Sequence, residues 1–208
     1  MRSWVLEALI EVICHGQYSN LYLKHHLKEC PSKDRALATH IFYGTLQNYG
    51  YLNYCVNQYV KKKIPNRVRI LLLMSVYQLF FLDKVPAYAI VNEAVTLTKI
   101  KNPSLSGLVN AFLHRVKQKD ILLPDQEEEA LSILYSVPSW LVYMWKAQYG
   151  IQQTKTMLSW TQQILPIYVR RNALCSTIED FENSMFTSIQ DDLYIYHGND
   201  VAAHPYYQ

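Results

Sequence analysis

Cysteine can make a chain a nucleophile or a metal centre, because the thiolate does both. Cys14, Cys30, Cys55 and Cys175 are scattered, with no C-x-x-C pair. That spacing argues against a zinc site and against a secreted disulfide framework. It predicts four reduced and mostly buried thiols. His25 and His26 are adjacent; on a helix they point about 100° apart and cannot hold one ion together. No metal site is expected. The six glycines never form G-x-G or a phosphate loop. H-E-x-x-H, H-x-E…C-x-x-C and G-x-S-x-G are absent as well. The expectation is a stretch without a catalytic set and without a cofactor loop.

Charge is the remaining handle. Lys61, Lys62, Lys63, Arg67 and Arg69 form the densest basic cluster, and Lys99, Lys101, Arg115, Lys117 and Lys119 a second. Such runs are either solvated faces or phosphate contacts, and both readings stay open on sequence. Polar residues inside apolar stripes are a separate signal. Asn92 and Glu93 lie in AIVNEAV, and Asn110 lies in LVNAFL. A carboxylate beside a core stripe needs a partner, or burial becomes costly. Arg35, Arg69 and Arg115 are the expected partners of Glu93, and with Asn110 they make a polar clamp between helices.

The elements that must position these groups are helical. Val5, Leu6, Leu9, Val12 and Ile13 recur at helical spacing up to Gly16. Leu21, Leu23 and Leu27 predict a short helix stopped by Pro31, and Ser32 reads as the N-cap of the next, with Asp34 in its first turn. Further helices are expected over residues 51–60, 67–82 and 87–100 and after Pro103. The third from last is apolar nearly all round and belongs at the centre of a bundle. Residues 124–129, PDQEEE, are an acidic, solvated start to two linker segments, 139–149 and 151–162. Strand patterns then appear at 164–170 and 193–196, with a short helix expected over 178–186. The predicted fold is mainly α. An all-α bundle spans 1–122, linker helices 123–163, and a small partial α/β subdomain 164–208. A lone strand-helix-strand leaves open edges, which suggests a chain continuing beyond Gln208.

Composition agrees with a globular protein. Half of the 208 residues are apolar, 18% are charged, and Tyr occurs 17 times. The net charge of +3 leans only mildly toward an anionic partner. Glu7 and Glu11 interrupt the N-terminal apolar run, unlike a signal peptide. The most apolar stretch, residues 70–82, is about 13 long, short of the ~18–20 that span a bilayer. No membrane association is expected, and the cytoplasm is the default location.

Four segments together carry a family resemblance: Asp34-Arg35-Ala36 with Phe42-Tyr43-Gly44; Arg69-Ile70-Leu71 through Tyr77-Gln78-Leu79; Val85-Pro86-Ala87 with residues 89–95; and residues 108–115, LVNAFLHR. In this order and spacing they resemble the NusB-like domain of bacterial 16S rRNA cytosine-C5 methyltransferases of the Sun/Fmu type. A transcription antitermination factor shares that fold and would end near residue 120. Here YSVPSWLV (135–142) with Tyr149-Gly150 resembles the bridge of the methyltransferases. PIYVRRN (166–172) resembles the strand that opens their small α/β subdomain. Val137 stands where the family usually has His, and the arginine-rich N-terminus of some NusB-like RNA binders is reduced to Arg2.

The resemblance implies an N-terminal RNA-positioning part of an S-adenosylmethionine-dependent 16S rRNA (cytosine-C5) methyltransferase. That reaction requires a thiolate to add to C6 of the base. The family's two cysteines follow Thr and Pro; the four here follow Ile13, Glu29, Tyr54 and Leu174, so none matches. Catalytic residues and the cofactor site are therefore expected downstream. The implied partners are 16S rRNA and the chain's own downstream catalytic domain. Arg2, Lys61, Lys62, Lys63, Arg67, Arg170 and Arg171 are the candidate RNA contacts. The alternative is a protein-interaction or antitermination module with no enzymatic role.

Overall fold

The computed structural model describes residues 1–163 and 165–198. Its helices follow the apolar stripes: α1 Arg2–His15, α2 Ser19–His26, α3 Arg35–Gln47, α4 Tyr49–Tyr59, α5 Asn66–Phe81, α6 Ala87–Lys101 and α7 Ser106–Arg115. Gly16 ends α1 in the left-handed region at φ 72°, where a Cβ is disfavoured, and its N–H closes on Glu11 O. Ser32 is not a side-chain cap. Residues Ser32–Asp34 form a 3-10 turn, and α3 starts one residue later at Arg35.

Every residue of 70–78 is buried, so α5 is the axis on which α1, α3, α4, α6 and α7 pack. Two polar side chains survive there because they are satisfied inside the helix. Ser75 Oγ donates to Leu71 O at 2.7 Å, and Gln78 Nε2 donates to Met74 O at 3.0 Å. α3 approaches α5 closely at Gly44, which lies against the ring of Tyr77.

Two further helices, α8 Glu127–Leu134 and α9 Ser139–Thr161, belong to the same unit, Met1–Gln162. Glu127, Glu128 and Glu129 occupy the first turn of α8, where its dipole favours negative charge. Lys146 reaches back to Glu128 and holds that carboxyl below its usual range; Lys155 pairs with Glu127 at 2.6 Å. Gly150, at φ 75° and ψ 167°, breaks α9 into the two segments read from sequence. The pair closes over Leu131, Val142 and Leu158. It is tied to the bundle by Ser136 Oγ, which accepts the Tyr51 N–H at 3.0 Å, and by Gln47 Nε2, which donates to Thr161 O at 2.8 Å. Of the segments read as a linker, α8 thus packs on α4 and α9 packs on α8.

The second unit is Gln163–Gln208. Three strands, β1 Ile167–Arg170, β2 Phe186–Gln190 and β3 Leu193–Tyr196, form an antiparallel sheet in the order β1-β3-β2. Register pairs Ile167 with Tyr196 and Phe186 with Tyr196 from the other side. Ile164, the first residue of the expected strand, lies outside the described residues, as do residues 199–208. Where a helix was expected over 178–186 there is one 3-10 turn, Glu179–Phe181, and then β2. Local polar groups explain the difference. Asp180 Oδ2 accepts the Thr177 N–H at 2.9 Å, and Asn183 bonds Asp180 O at 3.0 Å and the Met185 N–H at 2.9 Å. These bonds compete with a helical ladder that would bury little besides Phe181. The unit's core is aromatic: Phe181, Phe186, Tyr194 and Tyr196, with Val169 against it.

Candidate nucleic-acid interface

Lysines 61–63 sit on the loop that joins α4 to α5. Val60 and Ile64 on either side are buried, so the loop is pinned at both ends and the three lysines between them are exposed. The Val60 N–H still bonds Val56 O at 2.9 Å, which places Lys61 and Lys62 immediately beyond the negative end of the α4 dipole. Arg115, at the last turn of α7, comes to the same place. It lines with Lys61 and Lys62 a concavity of about 540 Å3 whose other walls are Gln58, Tyr59, Val60, Leu108, Ala111 and Phe112. Tyr59 and Phe112 meet edge to face at 5.9 Å. Gln58 is fixed by Leu122: its amide donates to Leu122 O at 2.6 Å and its oxygen accepts the Leu122 N–H at 3.3 Å.

The other expected RNA contacts divide differently. Arg170 is exposed on β1. Arg2, Arg67 and Arg171 are taken by internal carboxylates. Arg2 Nε donates to Gln78 Oε1 at 2.6 Å, and its Nη1 pairs with Glu93. Arg67 pairs with Glu7 at 2.7 Å, tying α5 to α1. Arg171 donates to Asp192 Oδ1 at 2.7 and 2.9 Å and to Ser176 O at 2.7 Å. An exposed phosphate would have to displace those partners, so these three are structural ties. Lys61, Lys62, Lys63, Arg115 and Arg170 take part in none of the ion pairs among the described residues.

The expected polar clamp is corrected in its partners. Glu93 is met by Arg2, not by Arg35, Arg69 or Arg115. The reason is topological: α1 packs on α5 beside α6, which brings residue 2 to residue 93. Arg35 instead donates to the carbonyls of Cys30 and Lys28, each at 3.0 Å, closing the turn before α3. Arg69 bridges α5 to α4 through Asn53 at 2.7 Å and Asn57 at 2.8 Å. Asn110 is exposed and clamps nothing. Arg115 belongs to the cationic concavity. Sequence reading missed Tyr59 and Phe112 there; a stripe of aromatic residues beside a basic run was the available signal.

The cysteines behave as small core or surface groups. Burial pushes the Cys55 thiol up to about 11, and burial with the neighbouring Cys55 pushes Tyr51 up to about 12. A thiol in that position stays protonated at neutral pH and inert. A chromogenic thiol reagent at neutral pH is expected to titrate exposed Cys14 and Cys175 rapidly, and buried Cys30 and Cys55 only in denaturant. Rapid reaction of all four in the folded state would contradict this placement. Among the described residues no cluster of three or more His, Cys, Asp or Glu side chains is arranged to hold a metal ion. Nor is any helix there long and apolar enough to cross a membrane.

A helical bundle threaded on one buried axis, with a basic edge at one end and an appended antiparallel sheet, defines the class. Residues 1–118 match the NusB family, and the chain belongs to it. The relatives run past that domain. The probable ribosomal RNA small subunit methyltransferase B of Bacillus subtilis (strain 168) is 35% identical over 160 residues, covering 73% of this chain and 36% of that protein. The ribosomal RNA small subunit methyltransferase B of Serratia proteamaculans (strain 568) is 31% identical over 186 residues, covering 87% of this chain and 42% of that protein. The chain therefore spans about two fifths of the length of these curated relatives. The crystal structure of PH0851 matches with a TM-score of 0.64 at 18% identity, over 98% of this chain and 50% of that one, which speaks to the fold alone.

Proposed function

We propose that this chain is the RNA-docking part of an S-adenosylmethionine-dependent 16S rRNA (cytosine-C5) methyltransferase, working in the cytoplasm. The observation that carries the reading is the loop of Lys61, Lys62 and Lys63, held open to solvent by its buried flanks on a NusB-family bundle. Free cations on a rigid platform suit recognition of folded RNA through phosphates and shape. Similarity to small-subunit rRNA methyltransferases on both sides of residue 118 supports the enzyme class of the parent protein. The described residues do not fit S-adenosylmethionine: the sheet is antiparallel, and no glycine-rich turn leads from one of its strands into a helix. The cofactor and the nucleophilic cysteine belong to the parent enzyme's downstream catalytic domain. No chemical step is assigned to this stretch.

A second surface supports docking to that downstream domain. Trp140, Tyr143 and Met144 are exposed on one face of α9, where solvent is a poor neighbour for so much apolar surface.

The test is a mobility shift with 16S rRNA fragments. K61Q/K62Q/K63Q is expected to weaken binding on the order of tenfold or more at moderate salt, with unchanged helicity. Equal binding by the wild type and the triple variant would remove this loop from the interface.

A further inference from the structure

Three cations drawn from two separate segments do not converge on one concavity without a reason. Lys61 and Lys62 come from the loop after α4 and Arg115 from the end of α7, and among the described residues no carboxylate lines the space between them. Part of their charge answers the helix ends, since α4 and α7 both finish here. Each C-terminus carries roughly −0.5 of a charge. Against three full positive charges that leaves roughly +2, a surplus that calls for an anion. The remaining wall is not that of a simple phosphate site. Tyr59, Val60, Leu108, Ala111 and Phe112 make it apolar, and at about 540 Å3 it lies in the range of pockets that take a ligand with a ring system. The one amide in the lining, Gln58, is bonded through both its ends to Leu122. Lining groups of this kind grip phosphate and cover a flat apolar face, with that amide held away from reading base edges.

We propose that this concavity receives one unpaired nucleotide of an RNA strand, with Lys61, Lys62 and Arg115 each on a phosphate at or beside that nucleotide and its base against the apolar wall of Tyr59, Ala111 and Phe112. This rests on the RNA-docking reading and deepens it. The site discriminates unpaired from paired RNA, because a base in a duplex cannot leave the stack to enter the concavity without unpairing. It is tolerant of base identity, because every base has a π-face and stacking does not read edges.

The experiment uses the 208-residue chain and fluorescein-labelled RNA decamers, (rU)10 and (rA)10, with a ten-base-pair duplex for comparison, followed by fluorescence anisotropy. Wild type is expected to bind both single strands within a few-fold of each other and more tightly than the duplex. R115Q is expected to weaken single-strand binding and flatten its salt dependence by about one phosphate's share. A111W keeps every charge and fills the concavity from an exposed position on α7. It is expected to weaken single-strand binding by about fivefold or more, with an unchanged salt slope and an unchanged duplex affinity. If A111W binds (rU)10 as the wild type does, the base is not in the concavity and the proposal is overturned, while RNA docking by the lysine loop stands. If the wild type binds duplex and single strand alike, the unpaired-nucleotide claim is overturned in the same way. Absence of any binding by wild type overturns the docking reading itself. Far-ultraviolet circular dichroism of R115Q and A111W establishes that each is folded, and R115Q carries the test should A111W not be.

Discussion

Gly44→Ala is expected to destabilise the helical unit by about 2 kcal/mol, although alanine is the better helix former by about 1 kcal/mol. A Cβ at this position would stand 2.0 Å from both Cζ and the hydroxyl oxygen of Tyr77 and 2.5 Å from Cε2. The ring cannot step aside. It is buried, stacks on Phe81 at 5.3 Å and leans on His40 at 6.2 Å. Either α3 must retreat from α5 or Tyr77 must leave its rotamer, and each loosens the buried axis. The denaturant midpoint measures the loss. Tyr77→Leu in the same background should make alanine tolerable at 44, because the clash is with the ring and not with the helix. An unchanged midpoint for Gly44→Ala alone would mean that α3 and α5 are farther apart than described.

Arg171→Met is expected to unfold the sheet unit selectively. Three side-chain bonds from one guanidinium, two to Asp192 and one to Ser176 O, hold the ends of β1 and β3 together. The Arg171 N–H, bonded to Asp192 O at 2.8 Å, prolongs the ladder. Asp192 is partly solvated, so the loss is discounted to about 2 kcal/mol. That is a large share for a unit whose core, among the described residues, is four aromatic rings, since chains of this size bury little of their surface. Amide exchange in residues 193–196 should then approach unprotected rates while residues 70–78 keep their protection. Retained protection in both segments would show that the guanidinium does not hold the sheet.

Some of this was legible in the residues and some was not, for reasons that differ by site. The α5 segment announced itself because a nearly uninterrupted apolar run has only one place to go. Gly16 and Gly150 marked breaks because their positive-φ backbone conformations favour glycine over residues with a Cβ. Glu93 advertised a need for a cation but not which one. Its partner, Arg2, is 91 positions away, and only the packing of α1 and α6 around α5 selects it. Arg67 and Arg171 were read as free cations for the same reason, since a carboxylate partner is invisible until the chain is folded. In residues 178–186 the apolar spacing pointed to a helix, while Thr177, Asp180 and Asn183 offered the backbone shorter-range bonds that prevailed. Lys61 and Lys62 were legible as a basic run. Their meeting with Arg115, at the end of α7 with α5 and α6 intervening, was not.

The salt dependence of RNA binding tests the central claim most directly. Lys61, Lys62, Lys63 and Arg115 are four cations free of internal partners among the described residues at one end of the bundle. Each phosphate engaged on a single strand contributes a slope of about −0.7 to log K against log salt. For wild type with unpaired 16S rRNA fragments the expected slope is about −3, falling toward zero when all four positions are glutamine. A slope near zero in the wild type, or the same steep slope in the four-glutamine variant, would mean that RNA is not docked at this edge.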